Sequence, residues 1–296
     1  MRNVLTIDVE DYFQVASLAE RIRPEDWDDI PPRVEDNVRR LLDLFDRHQV
    51  KATHFVLGWI AERFPRLIRE IDARGHEIAS HGYSHQLIYG QTPEVFARET
   101  RDSKALLEDI TGKPVEGYRA ASYSITRKSL WALDILAEAG FIYDSSIFPV
   151  VHDRYGIKGS PERPHRLRTP QGHSLVEFPL STYRVLGQTL PVAGGGYFRL
   201  YPYALSRHFY RALNRVGTPF VFYLHPWEID PGQPRVDGLS RLSRFRHYNN
   251  LDDCERRLDR LLSEFDFEPM KPHLQRLGLF DDALPPKADY GVERAA

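Results

Sequence analysis

Short apolar runs that break off at polar residues recur along the chain as far as His225. NVLTIDV (3–9), ATHFVLG (52–58), HEIAS (76–80), EGYRA (116–120), FIYDSS (141–146), SLVEFPL (174–180) and PFVFYLH (219–225) each have the length and composition of a strand. Between them the apolar positions fall at helical spacing. Val38, Leu41, Leu42 and Phe45 form one stripe; Phe64, Leu67, Ile68 and Ile71 form another, closed by Gly75. Thr92-Pro93 reads as the N-cap and first-turn proline of a helix running to about Gly112, and SLWALDILAEAG predicts another that stops at Gly140. This βα alternation predicts an α/β fold with mostly parallel strands, as a barrel or an open sheet, with functional residues where strands end. After His225 the texture changes. DPGQPRVDGLSRLSRFRHYNN is loop-like and basic, a helix is expected over 252–265, and from Lys271 the chain loses periodicity and reads as a mobile tail.

Composition narrows the classes without choosing among them. With 296 residues, 42% hydrophobic and 28% charged, the chain suits one large core or two modest ones. A net charge of -2 removes the usual reason to expect nucleic acid as a partner. The single cysteine, Cys254, excludes an internal disulfide and a Cys-rich zinc site. No apolar run approaches the ~18–20 residues that span a bilayer. The opening MRNVLTIDVEDYF lacks the apolar stretch of a secretory signal, so a cytoplasmic protein is expected.

Candidate chemistry sits at the strand ends. VLTI is broken by Asp8-Val9-Glu10-Asp11, and strand alternation puts Asp8 and Glu10 on one face and Val9 and Asp11 on the other. In isolation such acids suit capping of a βα loop. SHGYSH (80–85) follows a strand; if it turns into helix, His81 and His85 share a face one turn apart, within reach of one metal. Two histidines with a carboxylate and no thiolate suit a catalytic divalent metal with open positions. Arg119, among small and aromatic neighbours in GYRAASY, calls for a buried carboxylate partner. His225 ends the most apolar strand, ahead of Pro226 and Trp227. AGGGYFRL (193–200) lacks the features of a phosphate loop and reads as a sharp backbone turn, and no Gly-x-Ser-x-Gly elbow is present.

Taken in order, these motifs resemble those of the polysaccharide deacetylases of carbohydrate esterase family 4, the NodB-homology domain. LTIDVED is similar to the family's first motif, ATHFVLG to its Ala-Thr-Phe-Phe-Val strand, and SHGYSH to its metal-histidine motif. YRAASY resembles Arg-x-Pro-x-Tyr, with Ala121 in place of the proline; YDSS resembles the next motif and FYLH the last. DVEDYFQV, RAASYSIT, GGGYFRL and FYLHPWEID further resemble a bacterial subgroup associated with exosortase-type exopolysaccharide clusters.

The resemblance implies a distorted (β/α) barrel over residues 1–235, a loop and helix extension over 236–270 packed on it, and the tail over 271–296. It implies a divalent metal, zinc first, held by His81, His85 and Glu10 or Asp11, with alternation favouring Glu10. Asp8 would be the catalytic base, Arg119 its orienting partner and His225 the acid. An oxyanion would rest on the metal and a backbone N–H near Tyr123, and Tyr123 and Trp227 would bind an N-acetylhexosamine oligo- or polysaccharide. Two alternatives are carried: a small amide or ureide hydrolase on the same scaffold, and a non-catalytic carbohydrate-binding protein.

Overall fold

The apolar run at the start of the chain becomes an interior strand of the sheet. A computed structural model describes residues 1–150, 155–281 and 283–290. In it, β1 (Arg2–Val9) is buried from Asn3 onward. The strands that follow are β2 (Thr53–Val56), β3 (Glu77–Ser80), β4 (Gly117–Tyr118), β5 (Tyr143–Asp144), β6 (His165–Arg168) and β7 (Ser174–Glu177). Then come β8 (Thr182–Val185), β9 (Gln188–Pro191), β10 (Val221–Leu224), β11 (Asp266–Glu268) and β12 (Ala288–Asp289). Apart from the β8–β9 hairpin they join one sheet in the order β10-β1-β2-β3-β4-β5-β7-β6-β12, with β11 beside the start of β1. Pairing in this sheet is parallel except between β6 and β7. Closure is irregular. The N–H of Val192 donates to Ser181 O and that of Tyr223 to Ala193 O, so the chain on either side of the hairpin returns the sheet to β10. The result is the expected distorted (β/α) barrel.

The predicted helices form as α1 (Val34–Arg47), α3 (Pro65–Ala73), α4 (Pro93–Thr111) and α5 (Trp131–Glu138), and α2 (Gly58–Arg63), which was not expected, precedes α3. Thr92 caps α4 through Val95 N–H, and Gly112 ends it at φ 67. Three further helices lie outside the predicted ones: α6 (Gly195–Leu200), α7 (Tyr203–Arg215), which buries Phe209 and Tyr210, and α8 (Arg241–Tyr248). The first replaces the expected turn at GGGYFRL. The third lies within the loop-like basic stretch, where burial of only His247 and Tyr248 leaves no apolar pattern to read. Then α9 (Leu251–Glu264) forms as predicted, with Cys254, Leu258, Leu261 and Leu262 buried.

The segment from Lys271 departs from the expected aperiodic tail. It opens in α10 (Met270–Arg276), whose first turn docks at the barrel end opposite the strand tips. Met270 N–H donates to Thr53 Oγ1 at 2.7 Å and Lys271 N–H to Glu77 Oε2 at 3.1 Å, while Met270 and Leu274 are fully buried. Two apolar residues are too few for a periodic signal; the docking comes from backbone donors that find acceptors inside the barrel. Residues 282 and 291–296 of that tail, and His152, lie outside the described residues.

Alternation decides what fills the barrel. Leu5, Ile7 and Val9 pack under the helices with Leu41, Phe45 and Ile68. Val4 instead joins Phe55, Ala79, Tyr143, Val221 and Met270 on the inner side. Each fully buried Val, Leu, Ile, Phe or Met among them contributes about 1.5–3 kcal/mol.

His54 falls on the helix side, edge-on to His76 with ring centroids 4.9 Å apart. Neither of its ring nitrogens makes a hydrogen bond. Burial, and then the neighbouring His76, hold His54 well below the ordinary histidine value; burial and the nearby Lys51 bring His76 down from 6.5 to about 4. Both are therefore neutral in the fold, and the unfolded chain takes up their protons first. The contribution of these two residues to stability is full above pH 6.5 and falls as the pH drops from there towards 4. Urea unfolding at pH 7 and pH 5 checks this: His54→Leu should shrink the difference between the two, and an unchanged difference would refute it.

Candidate active site

The inward-facing positions of four strands, within β1 and continued one step past the ends of β3, β4 and β10, supply four of the predicted site residues. Asp8 follows Val4 and Thr6; His81 follows Glu77 and Ala79; Arg119 follows Gly117; His225 follows Val221 and Tyr223. All point into one end of the barrel because side chains alternate along a strand.

Past Val9 the chain turns tightly, with Glu10 N–H donating to Asp8 O at 3.0 Å, and Glu10 joins the inward set. SHGYSH is a loop, not a helix. His85 adopts φ 53, and this left-handed backbone brings its ring to within 5.3 Å of the His81 ring, centroid to centroid. One donor atom from each of Glu10, His81 and His85 lies within 4.8 Å of the other two. His85 Nε2 stands 2.7 Å from Glu10 Oε2, yet that buried oxygen accepts no aligned hydrogen bond. His81 Nδ1 lies 2.8 Å from Arg119 O, which fixes the proton there and leaves Nε2 with its lone pair. Burial pushes His81 down to about 4 against the pull of Asp8, keeping it neutral. Burial pushes Glu10 up, but His85 and His225 outweigh it and hold the carboxyl at about 2. A buried carboxylate and two imidazoles whose donor atoms converge on one point fit a divalent metal.

Asp11 does not belong to this set. Its carboxylate accepts the backbone N–H groups of Tyr12 at 2.8 Å, Arg33 at 2.6 Å and Val34 at 2.9 Å. It therefore caps a short turn and the start of α1, and burial pushes its carboxyl up to about 6 against those hydrogen bonds. The bend after Val9 turns Asp11 outward to meet these orphan donors.

Arg119, fully buried, donates from Nη1 to Asp8 Oδ1 and to Thr6 Oγ1, each at 2.7 Å, and from Nη2 to Ser145 Oγ at 2.9 Å. Its guanidinium lies 4.1 Å above the Phe55 ring. The carboxylate partner expected for this arginine is thus Asp8. The second oxygen of Asp8 faces Tyr123 Oη at 3.4 Å and His225 Nε2 at 3.9 Å. Tyr123 N–H donates to Ala120 O at 3.0 Å.

His225 Nε2 stands 3.5 Å from Glu10 Oε1, and Nδ1 stands 3.0 Å from Glu228 Oε2. Burial lowers its pKa, but Glu10, Glu228 and Asp8 raise it to about 9. Trp227, expected at a sugar face, instead lies nearly flat against His225 and donates from Nε1 to Glu10 Oε1 at 3.2 Å. It still lines the cleft of about 410 Å³ above these groups, together with Tyr123, Tyr155, Tyr197, Phe245 and Arg246. Glu228 and Arg199 were missed in the sequence, although an acid three residues after a strand-end histidine was the available signal.

Fold and site together define an α/β-barrel protein with a two-histidine, one-carboxylate cluster at the strand tips. The chain carries a polysaccharide deacetylase domain of the NodB-homology type. The polysaccharide deacetylase family model matches residues 26–142, and a domain of unknown function, DUF3473, matches residues 145–275. Asp8 and Glu10 precede the first match, and His225 lies in the second. Over 113 residues the chain is 33% identical to a peptidoglycan deacetylase of Helicobacter pylori, covering 38% of each chain. A chitooligosaccharide deacetylase of Rhizobium leguminosarum bv. trifolii is 29% identical over 34% of this chain and 44% of its own length. The matches thus span less than half of these relatives. A crystal structure of a candidate polysaccharide deacetylase from Mycobacterium smegmatis shares the fold, with a TM-score of 0.60 at 23% identity over 96% of this chain and 94% of the other. Puue allantoinase shares it with a TM-score of 0.56 at 17% identity over 90% and 85%. No helix among the described residues is long and apolar enough to cross a membrane.

Proposed function

We propose that the protein is a metal-dependent N-deacetylase acting on an N-acetylhexosamine-containing oligo- or polysaccharide. The observation that carries this is the convergence of Glu10, His81 and His85 between an Asp8–Arg119 pair and His225 in one cleft. The peptidoglycan and chitooligosaccharide deacetylases among its relatives support the substrate class. The finer reading, an exopolysaccharide or its precursor, rests on the motif resemblance alone.

Glu10, His81 and His85 would hold a divalent cation such as zinc, which would supply Lewis acidity to an amide carbonyl and lower the pKa of water. Asp8 takes a proton from the attacking water through Oδ2, while Arg119 holds Oδ1 and keeps the carboxylate oriented. Addition of water to the N-acetyl carbon and cleavage of the C–N bond leave acetate and an amine, and His225 Nε2 gives the amine nitrogen its proton. The amine would otherwise be a very poor leaving group.

Acetate release from N-acetylglucosamine oligomers tests the proposal, with a cyclic ureide as the control substrate. Turnover of the oligomers, lost on chelation and restored by zinc, is expected. Turnover of the ureide alone, or rates indifferent to chelation, would overturn it.

A further inference from the structure

Glu228 is more closely bound to His225 than any other residue. Its Oε2 accepts the backbone N–H of His225 at 3.0 Å and faces the ring Nδ1 at the same distance. Its Oε1 accepts from Arg199 Nε at 2.9 Å, and both charged side chains are 1% exposed. The carboxylate fits because residue 195 is glycine: a Cβ there would stand 2.0 Å from Glu228 Oε2 and 2.5 Å from its Cδ. Gly195 is not in the left-handed region, so the requirement is for space and not for backbone freedom.

Arg199 in turn reaches into the C-terminal extension. It donates from Nη1 to His247 O at 3.1 Å and Asn249 O at 2.6 Å, and from Nη2 to Arg246 O at 3.2 Å. These are carbonyls at the C-terminal end of α8, where a cation also meets the negative end of the helix dipole. A second link runs through rings. Trp227 lies between His225, at 5.2 Å and 18°, and His247, at 4.4 Å and 12°. His247 is pinned from behind by Gln233 Oε1, 2.7 Å from its Nε2.

We infer that Glu228 is the positioning residue of His225, and that the C-terminal extension holds the pair in place through Arg199 and His247. The inference rests on the proposed role of His225 as proton donor. A proton on Nδ1 shared with Glu228 leaves Nε2 as the nitrogen facing the cleft. Arg199 offsets the cost of burying that carboxylate, and the helix-end carbonyls occupy three of its other donors. The extension is thereby a working part of the active site.

Two variants leave the metal cluster and His225 untouched: Glu228→Gln, and Gly195→Ala, which displaces the carboxylate by contact. One readout is kcat and KM for acetate release. The other is the low-field imidazole N–H signal of His225 in proton NMR without substrate, assigned by its loss in His225→Ala. Both variants should lose or shift that signal and lower kcat ~10–100-fold with KM within about twofold. His247→Ala should lower kcat in the same direction, and His247→Phe, which keeps the stack on Trp227, should recover most of the loss. A wild-type signal and wild-type kcat in Glu228→Gln and Gly195→Ala would overturn the inference. If the wild-type protein releases no acetate, the functional reading falls, while the NMR signal in Gly195→Ala still decides whether Glu228 positions His225.

Discussion

His225→Ala is expected to lower kcat for N-acetyl hydrolysis by ~10²–10⁴-fold while the protein keeps its divalent metal. The ring borders the metal cluster without joining it: Nε2 is 3.5 Å from Glu10 Oε1, whereas Nδ1 is turned to Glu228. Removing it leaves Glu228 paired with Arg199, so no buried charge is stranded and the fold should persist. His81→Ala, by contrast, removes a donor from the cluster and should cost both metal and turnover. Metal analysis of the purified variants alongside initial rates distinguishes the two roles. Equal metal loss in both would contradict the separation of ligand from acid.

Glu10→Ala should abolish metal binding and turnover together, whereas Asp11→Ala should retain the metal and lose stability instead. The two acids are neighbours in sequence but face different partners. Glu10 meets two imidazoles. Asp11 meets three backbone N–H groups. Leaving those buried donors without an acceptor should cost ~1–3 kcal/mol, seen as a lower urea midpoint at unchanged slope. Metal loss in Asp11→Ala without a stability change would reverse the assignment.

The strands and the helices with apolar stripes were legible because burial of one face imposes a period that sequence displays directly. β1, β10, α1 and α4 are of this kind. So was the inward parity of Asp8 and Glu10, once the strand was recognised. What failed to show were elements docked by polar groups. α8 buries little apolar surface, and α10 is held by Thr53 and Glu77 accepting its first N–H groups. The site divides in the same way. His81, Arg119 and His225 lie just beyond strands and were readable, whereas His85 reaches the cluster through a left-handed backbone in a loop that local pattern would as readily make helical.

Glu228, Arg199 and Gly195 mark the limit most clearly. Each carries a recognisable property in sequence: an acid after a strand-end histidine, a basic residue in an aromatic helix, a glycine among glycines. Their meaning appears only when β10 and α6 are brought side by side and one carboxylate occupies the space a Cβ would need. Periodicity along one segment therefore determined the scaffold, the strand ends and the types of reacting group. Which carboxylate meets the histidines, which one orients His225 and what the extension holds were decided by packing between segments far apart in the chain. Hydrogen bonds and close contacts depend on distances through space that the linear order of residues does not encode.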